Sequence, residues 1–367
     1  MKITHLTSVH PRYDTRIFIK MCNSLAKKEQ YQVSLVVADD KGDEVKNGVS
    51  IYDVGKLSGR INRIFKTTQN VFKKAKELDS DIYHLHDPEL IPVGLKLKKL
   101  GKVVIFDAHE DLPKQLLGKP YLNKPLLTIL SKTVAAYENY TCKKFDAIVA
   151  ATPYIRDKFK AINPNSIDIN NFPLLEEFSN IFSWQEKEDK ICYIGGIAKV
   201  RGIQEIVHAM EYTQNVTLCL AGLFNDKKIE ETVRSYAGWE KVNALGFLDR
   251  EEIANVLRIS KAGLVTLHPI INYQDALPVK MFEYMAAGLP VIASDIPLWK
   301  RIIEENKCGI CVDPFNPKAI ADAINYIVSH PKESEEMGVN GRRAVMKKYN
   351  WAQEEAKLYS LYRGLLT

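Results

Sequence analysis

Apolar residues fall along this chain in short runs separated by longer amphipathic stretches, and the runs come in two series. The first series comprises ITHLTSVH (3–10), QVSLVVA (32–38), DIYHLH (81–86), KVVIFDA (102–108) and DAIVAAT (146–152). A helical pattern opens after the first run, at IFIKMCNSLAKK (17–28), and others follow between the later runs. The second series comprises KICYIGG (190–196), NVTLCLAG (215–222), VNALGF (242–247), AGLVTLH (262–268), PVIAS (290–294) and GICVD (309–313), again with helices between. Continuous apolar strands alternating with helices predict parallel sheets covered on both faces. Two such series predict two doubly wound α/β domains. The stretch 167–190, rich in Asn, Pro and charge but weakly periodic, predicts the joint between them. After Asn350 the chain ends in an amphipathic helix carrying Trp351, Tyr359, Leu361 and Tyr362, with no strand beyond it.

A length of 367 residues suits two domains, and 46% hydrophobic with 26% charged residues is ordinary for globular cores. The six cysteines lie mostly in apolar patterns, which predicts reduced thiols in a cytoplasmic protein. Cys308 and Cys311 form a CxxC with no second pair and no His cluster nearby, which argues against zinc. Arg12 and Asp14 interrupt the start before a signal-peptide core develops, and no run approaches the roughly 18–20 apolar residues that span a bilayer. Charge changes the picture more. Residues 1–171 hold 28 Lys and Arg against 19 Asp and Glu, whereas residues 172–367 hold 23 against 26. A basic first half attracts anions, whether phosphates, lipid headgroups or nucleic acid, and no recognisable nucleic-acid module is present.

Ligands of doubly wound sheets sit beyond the carboxyl ends of the strands, so the strand-to-helix turns carry the candidate chemistry. The most informative turn runs from Asp275 through Ala276, Leu277 and Pro278 to Glu283, followed by Ala-Gly288-Leu-Pro290-Val. A carboxylate accepts two hydrogen bonds from neighbouring sugar hydroxyls, which suits both acids to a saccharide. The amides of Ala276 and Leu277 fall near a helix N-terminus, which favours phosphate, and Pro278 suits the first helical position. In this stretch the chain resembles glycosyltransferase family 4, the retaining enzymes of GT-B fold. Their mark is a pair of acids eight residues apart followed by Ala-Gly-x-Pro-Val. The resemblance extends over nearly the whole chain and is most specific in the second half.

The resemblance implies two Rossmann-like domains facing across a cleft: an acceptor-side domain at 1–171, a nucleotide-sugar donor domain at 172–349, and a terminal helix at 350–367 packing back on the first. It implies that Glu283 holds the ribose of the nucleotide and that Asp275 holds the donor hexose. Asp275 stands where relatives have Glu, one methylene shorter. The turn Gly195-Gly196-Ile-Ala-Lys199-Val-Arg201-Gly202 lets a backbone approach a pyrophosphate and offers cations to offset its charge. Relatives usually carry Arg where Gly196 stands and Lys where Arg201 stands, which makes Arg201 the expected diphosphate clamp, supported by Lys199. Gly222 ends a strand, and the turn at Phe247 and Leu248 corresponds to the one that holds the base. His109, at the carboxyl end of KVVIF, corresponds to the histidine beside the donor sugar.

The first turn carries Arg12 and Arg16, which suit the donor phosphates or an anionic acceptor, with Asp14 able instead to pair with an arginine or cap the helix. His84 and His86 share one strand face but lack a third metal ligand in sequence, and His86 with Asp87 fits the border of an acceptor site. Asp79-Ser80-Asp81 imitates a metal-binding triplet but precedes its strand instead of following it. Cations interleaved with Phe, Leu and Tyr at 60–76 and 114–124 suit an anionic membrane surface. The expectation is therefore a cytoplasmic hexosyltransferase, peripheral on the inner face of the plasma membrane. It would use a nucleotide diphosphate sugar and a saccharide or lipid-linked acceptor in bacterial surface polysaccharide or glycolipid synthesis, with no metal, no other cofactor and no nucleic-acid partner. A nucleotide-sugar 2-epimerase on the same architecture and a binding protein that has lost its chemistry are the rival readings.

Overall fold

The apolar runs form parallel strands, as a computed structural model describes for residues 1–118, 123–178 and 183–365. The chain divides into two compact units, one of residues 1–171 with 352–367 and one of residues 172–351.

In the first unit the strands are β1 (Lys2–Leu6), β2 (Gln32–Val37), β3 (Glu44–Lys46), β4 (Val49–Asp53), β5 (Ile82–Leu85), β6 (Val103–Ala108), β7 (Ala147–Ala150) and β8 (Ser166–Asp168). They form an eight-stranded sheet in the order β3-β4-β2-β1-β5-β6-β7-β8. Every neighbouring pair is parallel except the β3–β4 ribbon at one edge. The central strands are buried along their length, with residues such as Leu6, Tyr83, Leu85 and Phe106 packed into one apolar cluster. Burial on both faces explains why those strands read as continuous apolar runs.

The pattern gave no warning of β3, β4 or β8. β3 is a three-residue edge strand with an exposed side, and β8 runs into the start of the 167–190 stretch. The two short edge pieces β3 and β8 bury too little to leave a period in the sequence, whereas β4 lies inside the sheet with only Val49 and Ile51 buried. The terminal helix Trp351–Gly364 enters this unit, where the Tyr359 hydroxyl donates to the Ser24 carbonyl at 2.7 Å and Glu354 receives the Asn170 amide at 2.8 Å.

The second unit holds β9 (Lys190–Ile194), β10 (Thr217–Ala221), β11 (Val242–Gly246), β12 (Ala262–Val265), β13 (Val291–Ser294) and β14 (Gly309–Val312) in the order β11-β10-β9-β12-β13-β14, all parallel. Strand order reverses between β1 and β5 in the first unit and between β9 and β12 in the second. At such a switch point the flanking turns diverge and open a crevice at the carboxyl ends of the strands.

Two glycines make the second crevice. Gly202 has φ +76°, and a Cβ there would lie 2.1 Å from the Thr266 carbonyl oxygen, so the turn after β9 packs directly on the turn after β12. Gly222 has φ +145°, and a Cβ there would come within 2.0 Å of the Gly195 carbonyl oxygen, which lets the turns after β9 and β10 lie side by side. Only glycine adopts these angles without strain.

Candidate active site

The turn leaving β9 is Gly195–Gly196. It is pinned by backbone bonds from Gly195 to the Ala221 carbonyl and from Ile197 to the Leu223 carbonyl, both 2.9 Å. Gly195, Gly196, Gly222, Asn225, Phe247 and Leu248 line a cavity of about 290 Å3 beside it. Phe247, exposed over 76% of its surface, offers an aromatic face at the rim. Glycines on two adjoining turns leave room for a ligand to reach the backbone, and an aromatic edge suits a flat ring.

Arg201 reaches back over this turn and donates to the Gly196 carbonyl at 3.1 Å, half-buried and in contact with Tyr193 and Tyr273. Lys199 is exposed to solvent. A second cation approaches from the helix Val279–Ala286. The ammonium of Lys280 lies 3.7 Å from the centre of the Tyr193 ring and 3.5 Å from where a Gly195 Cβ would stand. Part of the residue is exposed, but its nitrogen is shielded from solvent and has no hydrogen-bond partner among the described residues. Burial foremost, then the charge of Arg201, pushes Lys280 down to about 7, against the opposing pull of Glu283 and Cys192.

Glu283, on the same helix, is partly exposed and lies 3.4 Å from Arg250, which bonds Glu177 more closely at 3.1 Å. Its carboxylate thus keeps most of its accepting capacity. Asp275 lies half-buried in the turn before the helix, and the indole of buried Trp299 donates to the Ala276 carbonyl at 2.7 Å, fixing that turn. Two details of the sequence reading change here. Pro278 caps the helix from outside instead of opening it, with ψ 121°. The Ala276 amide already donates to the Tyr273 carbonyl at 3.3 Å, so it is not an unengaged phosphate donor. Leu277 packs against the apolar core of the unit.

In the first unit the centre is Asp107, fully buried at the end of β6. Arg16 grips it with two bonds, Nε at 2.9 Å and Nη2 at 2.7 Å, while His86 Nδ1 stands at 3.1 Å and His109 Nε2 at 3.0 Å. Burial would raise this carboxyl, but the charge of Arg16 and then of His109 holds it well below the usual range. From His86 the contacts continue to His5 at 2.8 Å, and from His5 to Tyr362 at 3.3 Å and Tyr362 to His84 at 2.8 Å. Burial keeps His5 and His84 neutral by holding them well below their ordinary value.

This network overturns several expectations. Arg16 is buried and spent on Asp107 and the Ile169 carbonyl. Arg12 is buried and bound to Asp39, Glu44 and the Gly42 carbonyl. Neither is available to a phosphate or an anionic acceptor. His86 and Asp87 are also buried, so neither borders an acceptor site. Asp87 instead receives Thr7 and Ser8 through one oxygen, and the other lies 3.4 Å from His10. Asp14 does cap its helix, accepting from the amides of Arg16 and Ile17.

The missing third ligand beside His84 and His86 is supplied by His5, one strand over in register, with ligand atoms of the three within 4.8 Å of one another. His86, Asp107 and His109 form a second such group. In the histidine triad the ring nitrogens bond one another, Tyr362 and Asp107, leaving His84 Nε2 without a partner. His109 keeps partial exposure above Asp107, and its ring lies 5.0 Å from that of partly exposed His10. The carboxylates of Asp14 and Asp87 outweigh burial and raise His10.

Sequence reasoning missed Lys280, Arg250, His10 and the role of Asp107. Lys280 alone left a signal, since a cation in the first turn of a helix opposes the helix dipole.

Comparison with known proteins completes the picture. Residues 176–344 match the family described as glycosyl transferases group 1, and residues 15–169 match glycosyltransferase family 4. An uncharacterized glycosyltransferase of Methanocaldococcus jannaschii is 24% identical over 388 aligned positions, covering 98% of each chain. Among solved structures, sucrose-phosphate synthase from Thermosynechococcus elongatus aligns with a TM-score of 0.80 at 19% identity, covering 100% of this chain and 99% of that one. The Anabaena protein HepE in complex with UDP-glucose aligns at 0.75 and 12% identity, covering 99% and 100%. These structures share the pair of Rossmann-like domains of GT-B glycosyltransferases. With consecutive family matches spanning most of its length, the chain belongs to the glycosyltransferases of group 1 and family 4.

Proposed function

We propose that the protein moves a sugar from a nucleotide diphosphate sugar to an acceptor hydroxyl, with retention at the anomeric carbon and without a metal. The observation that carries this reading is the pairing of Arg201 and Lys280 at a glycine turn on the β9–β12 switch point. A diphosphate leaving group needs its growing charge neutralised, and basic groups already held in place in a partly shielded site do so with little reorganisation. The donor C1–O bond breaks toward the diphosphate. The acceptor hydroxyl forms the new bond on the same face, and its proton passes to an oxygen of the departing phosphate. No pair of carboxylates for double displacement is then needed, unlike in retaining glycosidases. Glu283 takes the ribose hydroxyls, and Asp275 takes the transferred sugar.

A product NMR spectrum reads both parts of the claim. The anomeric coupling of the product should match that of the donor, and turnover should persist after EDTA and exhaustive dialysis. An inverted product, or activity restored only by Mg2+ or Mn2+, would sink the respective part.

An anionic membrane surface carrying a lipid-linked acceptor fits the first unit. Ile61 and Phe65 are exposed among Arg60, Lys66 and Lys73, and Leu126, Ile129, Tyr137 and Tyr140 are exposed on the helix Lys124–Cys142. Lys119, part of the same sequence pattern, lies outside the described residues. No helix among the described residues is long and apolar enough to cross a membrane. At about 1 kcal/mol per basic residue near such a surface, several together give reversible, salt-sensitive binding. Anionic vesicles should pull the protein down at low salt, and Phe65→Glu should weaken this. Equal recovery in the supernatant with anionic and neutral vesicles would favour a soluble acceptor.

A further inference from the structure

Lys280 has no internal purpose that its surroundings satisfy. An ammonium carries three donors, and a buried one without acceptors is costly to leave so. The Tyr193 ring beneath it, 3.7 Å away, supports a positive charge but accepts none of those donors in the way an oxygen does. On the open side stands the Gly195–Gly196 turn. A side chain at Gly195 would meet Lys280 Nζ at 3.5 Å and Arg201 Nη1 at 3.6 Å, and one at Gly196 would meet Arg201 at 3.3 Å. The two cations therefore converge on a volume that only the absence of side chains leaves empty. Two adjacent positive groups over a bare backbone turn match two adjacent phosphates.

We propose that Lys280 is the second cation of the diphosphate site and that it takes up a proton from solvent when the nucleotide diphosphate sugar binds. This rests on the donor-site reading above and adds the identity of the partner cation and its protonation change.

Every ionisable neighbour bears on that change. Arg201, from the turn before the next helix, repels the ammonium; Glu283, on Lys280's own helix, and the Cys192 thiol, on β9, favour it weakly. Tyr193 is pushed up to about 12 by burial, and burial also holds Tyr284 well above its ordinary value, so both phenols stay neutral. Tyr273 contacts Arg201. With Arg201 unopposed, the free site holds Lys280 largely as the amine above neutral pH, its value being about 7. A diphosphate against both groups reverses the field and favours the ammonium. The bound state then carries more protons than the free state, so affinity falls as pH rises above 7, by up to about tenfold per pH unit for a full proton. Before ligand arrives, a largely neutral amine spares the fold a buried like-charge pair.

Isothermal titration of the full chain tests this with UDP-glucose, GDP-mannose, ADP-glucose and dTDP-glucose in turn. Both phosphates of these donors are esterified and do not titrate near neutrality. The ligand that binds is titrated at pH 8 in Hepes and in Tris, whose ionisation heats differ. The binding enthalpy should differ between buffers by the heat of most of one proton taken up per site. Lys280→Met should abolish that difference and weaken binding about tenfold or more. Lys280→Arg carries a fixed charge, so whatever affinity it keeps should come without proton uptake. Binding with identical enthalpy in both buffers would overturn the proposal while leaving the donor site intact, and Lys280 would then be a structural partner of Tyr193. Undiminished uptake in Lys280→Arg would assign the proton elsewhere and overturn it equally. No binding by any of the four donors would overturn the donor-site reading itself, and this proposal with it.

Discussion

Replacing Arg16 by Met should destabilise the first unit by roughly 3–5 kcal/mol, enough to lower its melting temperature on the order of 10 °C. Asp107 is fully buried and its two oxygens receive both Arg16 bonds, at 2.9 and 2.7 Å. Without the guanidinium the carboxylate would sit in a low-dielectric interior against the imidazole of His109 and that of His86, which burial holds below its ordinary value. It would escape by binding a proton, which limits the cost without removing it. The Ile169 carbonyl would also lose its donor.

Asp107→Asn alone should be costly for the mirror reason, leaving a buried guanidinium unpaired. The double change Arg16→Met with Asp107→Asn should recover part of the loss, because neither charge then remains. Chemical denaturation of the three variants measures this. Additive losses in the double variant would mean that the pair is not the unit of stability described here. A change under about 1 kcal/mol for Arg16→Met would return Arg16 to the pool of residues available to a ligand.

The largest expected effects on binding are at Arg201 and Glu283. Removing a charged group that bonds a charged or polyhydroxyl ligand costs roughly 1.5–3 kcal/mol, so Arg201→Met and Glu283→Ala should each weaken nucleotide binding about ten- to a hundredfold. The two should differ in what they respond to. Arg201→Met should lose discrimination between a nucleoside and its diphosphate, since the phosphate is its proposed partner. Glu283→Ala should lose discrimination between ribose and 2′-deoxyribose forms. Arg250, 3.4 Å from Glu283 and closer to Glu177, is the comparison: its removal frees Glu283 of its ion-pair partner. If Glu283→Ala binds as the unaltered chain does, Glu283 is only a partner of Arg250.

Much of this architecture was legible because buried parallel strands carry apolar residues on both faces. β1, β2, β5, β6 and β7, and β9, β10, β12 and β13 of the second unit, announced themselves that way. The turns holding Gly195, Gly222, Asp275 and Glu283 followed from strand ends. What failed to show was long-range pairing. Arg12 and Arg16 read as available cations because their partners Asp39, Glu44 and Asp107 lie 27, 32 and 91 residues away. His5 entered no motif, and only strand register sets it opposite His84. Lys280, between Val279 and Met281, stood out only by its place in a first helical turn. Its position under the Gly195 turn depends on how the helix after β12 meets the turn after β9. Sequence reports the period of an element well, whereas the partner of a charge is decided by the sheet order.

The central claim is that the carboxyl ends of β9 and β12 bind the diphosphate of a nucleotide sugar. Titration calorimetry on the full chain with UDP-glucose, GDP-mannose, ADP-glucose and dTDP-glucose, each repeated on Arg201→Met, tests it most directly. The account expects saturable one-site binding of at least one donor in the presence of EDTA, weakened about ten- to a hundredfold by the substitution. Saturable binding that Arg201→Met leaves unchanged, or no binding of any of the four by a folded chain, would contradict it.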